Sequence, residues 1–138
     1  MGVGASYNDT IRTARMVVVQ VNIDAGSANG EIWLRDASNV IMAKVPLNDP
    51  CATVTTPTMT FAGFTTGKLV QCLPAAGDGA ILDNAIIVDS NGVVCAGAIV
   101  PLTVGVTNVE NPPDIEVQNL NVVAGQWLNV LSASIQHA

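Results

Sequence analysis

The chain has 138 residues and a mass of 14.2 kDa, enough for one hydrophobic core and too little for two. Only 12% of residues are charged while 49% are hydrophobic, and the mean hydropathy is +0.44, a balance that excludes intrinsic disorder. Eleven acidic against five basic residues give a net charge of −6, the wrong sign for gripping a phosphate backbone, and the apolar runs fall far short of the ~20 residues of a membrane span. Neither nucleic acid nor a membrane is therefore an expected partner.

The start, Met1-Gly2-Val3-Gly4-Ala5-Ser6, has no basic region followed by an apolar segment, so no secretory signal is read there. It fits the Met-Gly-x-x-x-Ser pattern of N-myristoylation, but one acyl chain without a polybasic patch binds membranes only marginally, and lipidation is not expected. A helix is predicted over residues 6–26. Ser6 is its expected N-cap, with Asp9 three residues on satisfying the free amides of the first turn, and Gly26 is its stop. Tyr7, Ile11, Ala14, Val18, Val21 and Ala25 recur at alternating steps of four and three, one apolar stripe of an amphipathic helix. Capping and periodicity together favour this helix over a strand at Met16–Ile23, which its β-branched residues would also allow.

After Gly30 the pattern changes to short β-like runs separated by turn residues. The predicted runs are Glu31–Arg35, Val40–Leu47, Val54–Phe64, Lys68–Leu73, Ala80–Val88, Val93–Val100, Ile115–Leu120 and Gln126–Gln136. Eight runs at near-regular spacing predict a mainly β domain, an antiparallel β-sandwich or jelly roll over about residues 30–136 with one N-terminal α-helix, the whole chain 1–138 being a single domain. The sharpest local signal is Ile86–Val94, where Asn91-Gly92 is expected to form a type I′ hairpin turn. No internal repeat or linker is read.

Groups able to do chemistry are sparse, and an enzyme is not expected. The single histidine, His137, stands beside the C-terminus, which offers neither a triad nor a metal site. Asp83 and Asp89, tried as a carboxylate pair, would lie about 20 Å apart along one strand, too far for glycoside hydrolysis. Cys51, Cys72 and Cys95 show no metal-ligand spacing and read as buried hydrophobes, with one disulfide plus a free thiol as the alternative. The Gly-x-Gly segments lack the rest of a phosphate-binding fingerprint, and Asp89-Ser90-Asn91-Gly92 lacks the alternating acidic ligands of a calcium loop. No catalytic residue, metal ligand or cofactor site is therefore assigned. The aromatic side chains Trp33, Trp127, Phe61 and Phe64 are the candidates for packing at an interface.

The order of a capped helix, Gly30-Glu31-Ile32-Trp33-Leu34-Arg35, Val40 to Pro50, the Ala85 to Val94 hairpin and a closing Asp114 to Ile135 run resembles a family of small virion proteins of tailed bacteriophages. The resemblance covers most of the chain. It implies a structural component of the particle: a capsid decoration (cement) protein on the major capsid protein at the outer face of the shell, made in the cytoplasm of the host bacterium. The alternative is a tail- or fibre-associated protein that contacts the host. A low-charge β-domain with apolar surface to hide suits that task, and a homo-oligomer, a trimer on a closed cyclic axis, is the expected assembly.

Overall fold

The computed structural model describes residues 8–55, 58–64 and 66–136. Its first element, α1 (Asp9–Asp24), is capped by Asn8, whose side-chain oxygen accepts the Ile11 amide at 3.0 Å, and Asp9 puts a negative charge in the first turn. The expected cap, Ser6, lies outside the described residues.

An amphipathic helix ordinarily buries its apolar stripe. Here Ile11, Ala14, Val18, Val21 and Ala25 are exposed, and the domain-facing side is Met16 and Ile23, with Val19 packed behind them. Polar ties on the inner side set this orientation. The Asp24 carboxylate accepts the Cys51 amide at 3.0 and 3.2 Å, and the Gln20 carbonyl lies 4.0 Å from the Cys51 thiol.

The strands are β1 (Glu31–Arg35), β2 (Ile41–Pro46), β3 (Ala52–Thr55), β4 (Thr58–Phe61), β5 (Lys68–Gln71), β6 (Ala80–Ile81), β7 (Asn84–Val88), β8 (Val94–Ala96), β9 (Leu102–Gly105), β10 (Ile115–Val117), β11 (Asn121–Val122) and β12 (Trp127–Gln136). They form a sheet in the order β2-β1-β7-β9-β10-β12-β4-β3, with β5 also on β12, β8 also on β7, and β6 paired separately with β11. Pairing is antiparallel except between β9 and β10. The sheet curls back on itself: the Leu73 amide after β5 donates to the Met42 carbonyl of β2 at 2.8 Å, and Lys68 Nζ reaches the Pro46 carbonyl at 2.7 Å. Ile32, Leu34, Val45, Leu47, Ile87, Ile115, Val117, Leu128 and Val130 fill the interior, each at most 2% exposed. The predicted fold class, mainly β and sandwich-like with one helix, is what the chain adopts.

The runs differ from expectation in their breaks. Val54–Phe64 is two antiparallel strands, β3 and β4. Ala80–Val88 is divided at Leu82 and Asp83, whose amides donate to Leu120 and Arg35 rather than continuing one ladder. Val93–Val100 is strand only over Val94–Ala96, because Gly97 takes φ 89° against the β7 backbone.

The Ile86–Val94 hairpin is present, but its turn is not type I′. Of the two central residues only Gly92 has positive φ, at 79°, whereas type I′ needs both. The Asp89 carboxylate accepts the Asn91 and Val93 amides at 2.9 Å each, while Gly92 N–H donates to the Asp89 carbonyl and Asp89 N–H to the Val93 carbonyl.

The β1–β2 turn repeats this arrangement bond for bond. Asp36 accepts the Ser38 and Val40 amides at 2.9 Å, Asn39 N–H donates to the Asp36 carbonyl, and Asn39 takes φ 64°. Even the irregularity matches: Leu34 opposes Ala43 and Arg35 opposes Ile41, as Ile87 opposes Ala96 and Val88 opposes Val94, leaving Met42 and Cys95 as the extra residues of equivalent bulges. The two hairpins meet through β1 and β7 with Trp33 opposite Ile86, and the flanking pairs Ile32–Ile87 and Leu34–Ala85 exchange under a local twofold rotation. An internal repeat therefore exists where none was expected. It escapes the sequence because residues 32–43 and 85–96 share only Asp36/Asp89, Val40/Val93 and Ala43/Ala96.

Each Asp closes its turn with two carboxylate–amide bonds, so Asp36→Ala and Asp89→Ala should each cost about 1–2 kcal/mol in urea denaturation. A neutral result at either would show that the backbone bonds alone hold that turn.

Candidate interaction surface

The curl places β5 and β12 side by side, with Trp127 opposite Gln71 and Leu69 opposite Asn129. Alternation sends Val70, Leu128 and Val130 inward, at most 5% exposed, and turns Leu69 and Trp127 outward at 65% and 62%. They are diagonal neighbours on one face, about 7–8 Å apart in the pleat and within reach of a large aromatic ring. The β5–β12 ladder runs from Trp127 to Val130 and carries both side chains, and β10 pairs with β12 further along at Val130–Ala133.

The other aromatic candidates are already occupied. Trp33 is half-buried on β1; its Nε1–H donates to Glu31 Oε1 at 3.2 Å, and Lys44 Nζ lies 4.8 Å from the ring centroid. Phe61 and Phe64 are 3% and 7% exposed and belong to the core, with Lys68 Nζ 4.9 Å from the Phe64 ring centroid. In the single chain these two rings lie in the core and not at the surface. Leu69, which the sequence reading passed over, takes their place beside Trp127. Lys68-Leu69-Val70-Gln71 could have marked it, since one of two adjacent apolar strand residues must face out.

Asp83 and Asp89 flank β7 at opposite ends, and both carboxylates accept local hydrogen bonds, Asp83 from the Asn84 amide group and Asp89 within its turn. Among the described residues no group of three or more His, Cys, Asp and Glu side chains could hold a metal ion, and no helix is long and apolar enough to cross a membrane. His137 lies outside the described residues.

All three cysteines are free thiols. Cys51 and Cys72 are buried at 0% and 3% exposure, as expected of small hydrophobes, whereas Cys95 is only half-buried at its bulge. Burial, reinforced by the Asp24 carboxylate, pushes the Cys51 thiol from its ordinary 9.0 up to about 12, and burial raises Cys72 and Cys95 in the same direction. The folded chain thus keeps protons that the unfolded chain gives up. That stability is fully present below pH ~9 and is lost as pH rises toward ~12. The urea midpoint should fall across that window, and less steeply in Cys51→Ala; an equal fall in the variant would remove Cys51 as the cause.

No family model, curated protein or solved structure matches the chain.

Proposed function

We propose that the chain is a structural virion protein that decorates the outer face of a tailed-bacteriophage capsid, binding the major capsid protein and stabilising the shell as a homo-oligomer, a trimer on a closed axis. The exposed Trp127–Leu69 pair carries this reading: a large aromatic anchor and an aliphatic neighbour on two hydrogen-bonded strands, on a chain with few charges to desolvate. The element order described above supplies the bacteriophage setting. A net charge of −6 disfavours contact with packaged DNA and suits an outside position.

The test is binding of the purified chain to shells that lack it. Trp127→Ala should leave the melting temperature unchanged, because the side chain is largely in water, and weaken shell binding on the order of 30-fold, as removal of an interface hot spot does. Wild-type affinity in the variant would remove Trp127 from the contact. On purified virions, many copies per particle and shells that burst on deletion support decoration. A few copies and a loss of adsorption would instead assign the chain to the tail or fibres.

A further inference from the structure

The outward stripe of α1 is an apolar feature that the domain leaves uncovered by its own packing. Within α1, Ile11, Ala14, Val18 and Val21 follow one another at three, four and three residues, the a and d spacing of a coiled coil, and Ala25 stands at the extended C-cap just beyond the last helical turn. In that register Met16 and Ile23 both fall at f, the position opposite the seam, and they are the two residues α1 buries in its own domain. The helix is thus two-faced, with its f side committed to the β-domain and its a and d side in solvent.

We propose that this seam joins α1 to the same helix of two further copies, in parallel around a threefold axis. The inference deepens the decoration reading, on which its trimeric count rests, by naming the surface that makes the oligomer. Several observations select a second copy as the occupant. A heptad seam is self-complementary, since each a or d side chain fills a hole made by four residues of another such seam. Ile11, Val18 and Val21 put β-branched side chains at both a and d positions, the pattern that shifts preference from two strands toward three or more.

Charge agrees with this choice. In a chain of net charge −6, no carboxylate falls between Asp9 and Asp24, so identical copies can approach along the stripe without setting acid against acid. A membrane surface fits poorly, because it calls for a polar face rich in Lys and Arg and the opposite face of α1 is packed on its own domain.

The exposed area points the same way. Ile11, Val17, Val18 and Val21 are 43, 39, 58 and 60% exposed, and with Ala14 they present on the order of 400 Å², the size of the largest apolar patch on a typical monomer, which is often functional. Thr10, Arg15 and Asn22 stand exposed along its edges.

The experiment is light scattering on the purified full-length chain, with Val18→Asp and Leu69→Asp beside the wild type. Val18 is 58% exposed and Leu69 65%, so neither substitution disturbs the monomer fold, which circular dichroism and the melting temperature check. Wild type and Leu69→Asp should give three times the 14.2 kDa chain mass, and Val18→Asp should give one, a threefold drop.

A wild type of one-chain mass overturns the seam, a two-chain mass overturns the threefold arrangement, and a Val18→Asp variant of wild-type mass places the joint elsewhere. Sedimentation of the wild type with anionic phospholipid vesicles, lost in Val18→Asp, would assign the stripe to lipid and overturn the proposal. Failure of the decoration reading shows separately, as a wild-type chain of any mass that does not bind shells.

Discussion

Ile87→Ala is expected to lower the free energy of unfolding by about 3–5 kcal/mol and the melting temperature by roughly 10–15 °C. Ile87 is fully buried in β7, the strand whose five residues are all buried. It lies opposite Ile32 of β1, itself fully buried, and opposite Ala96 of β8. Truncation removes the transfer free energy of the lost methyl and methylene groups and leaves a void that laddered strands on both sides cannot collapse to fill. Leu69→Ala deletes a similar side chain in water and should change stability by less than about 0.5 kcal/mol. Urea denaturation of the pair makes the comparison. A loss below about 1 kcal/mol at Ile87 would mean that β7 is not at the centre of the fold.

Gly30→Ala should cost about 2–3 kcal/mol, the scale of overpacking a filled interior. Gly30 is where the chain coming off the helix enters β1. A Cβ there would sit 2.6 Å from the Val88 carbonyl oxygen, 2.6 Å from Ile23 Cγ2 and 2.9 Å from the Ile23 carbonyl oxygen. The Ile23 methyl could rotate away, but the two carbonyls belong to the end of α1 and the end of β7. Relief therefore requires the helix and the sheet to separate. Calorimetry on the variant gives the cost directly, and wild-type stability would show that α1 is not held against β1 at this point.

What the sequence makes legible follows from how local each determinant is. β1 has the bounds expected of it, Glu31–Arg35, because Ile32 and Leu34 are buried in alternation with the half-buried Glu31, Trp33 and Arg35. The Asp89–Val93 turn is visible as a turn, yet its type depends on whether Asp89 caps the loop with its own carboxylate, and Asn91-Gly92 alone leaves that open. β9 escapes notice because Leu102–Gly105 pairs in parallel with Ile115 and Glu116 across a proline-containing connection, and a parallel pair leaves no tight-turn signature.

The surface is harder to read than the core. Periodicity locates the stripe of α1 but carries no information on which side the domain lies, and Asp24 and Gln20 decide that through contacts with Cys51, 27 and 31 residues away. Trp127 and Phe61 look alike as aromatic residues in apolar strands, and only their places in the pleat separate an anchor at 62% exposure from a core ring at 3%.

The twinned hairpins bear on how the chain reaches this shape. Each closes across a connection of only a few residues, so both can form within microseconds as separate nuclei, well before the rest of the sheet has ordered. Joining them requires Trp33 to find Ile86, more than fifty positions along the chain, and that search carries the loop-closure entropy of the whole intervening segment. Assembly of the sheet therefore rests on non-local encounters, this one and those that bring β4 and β5 onto β12, more than on the hairpins alone.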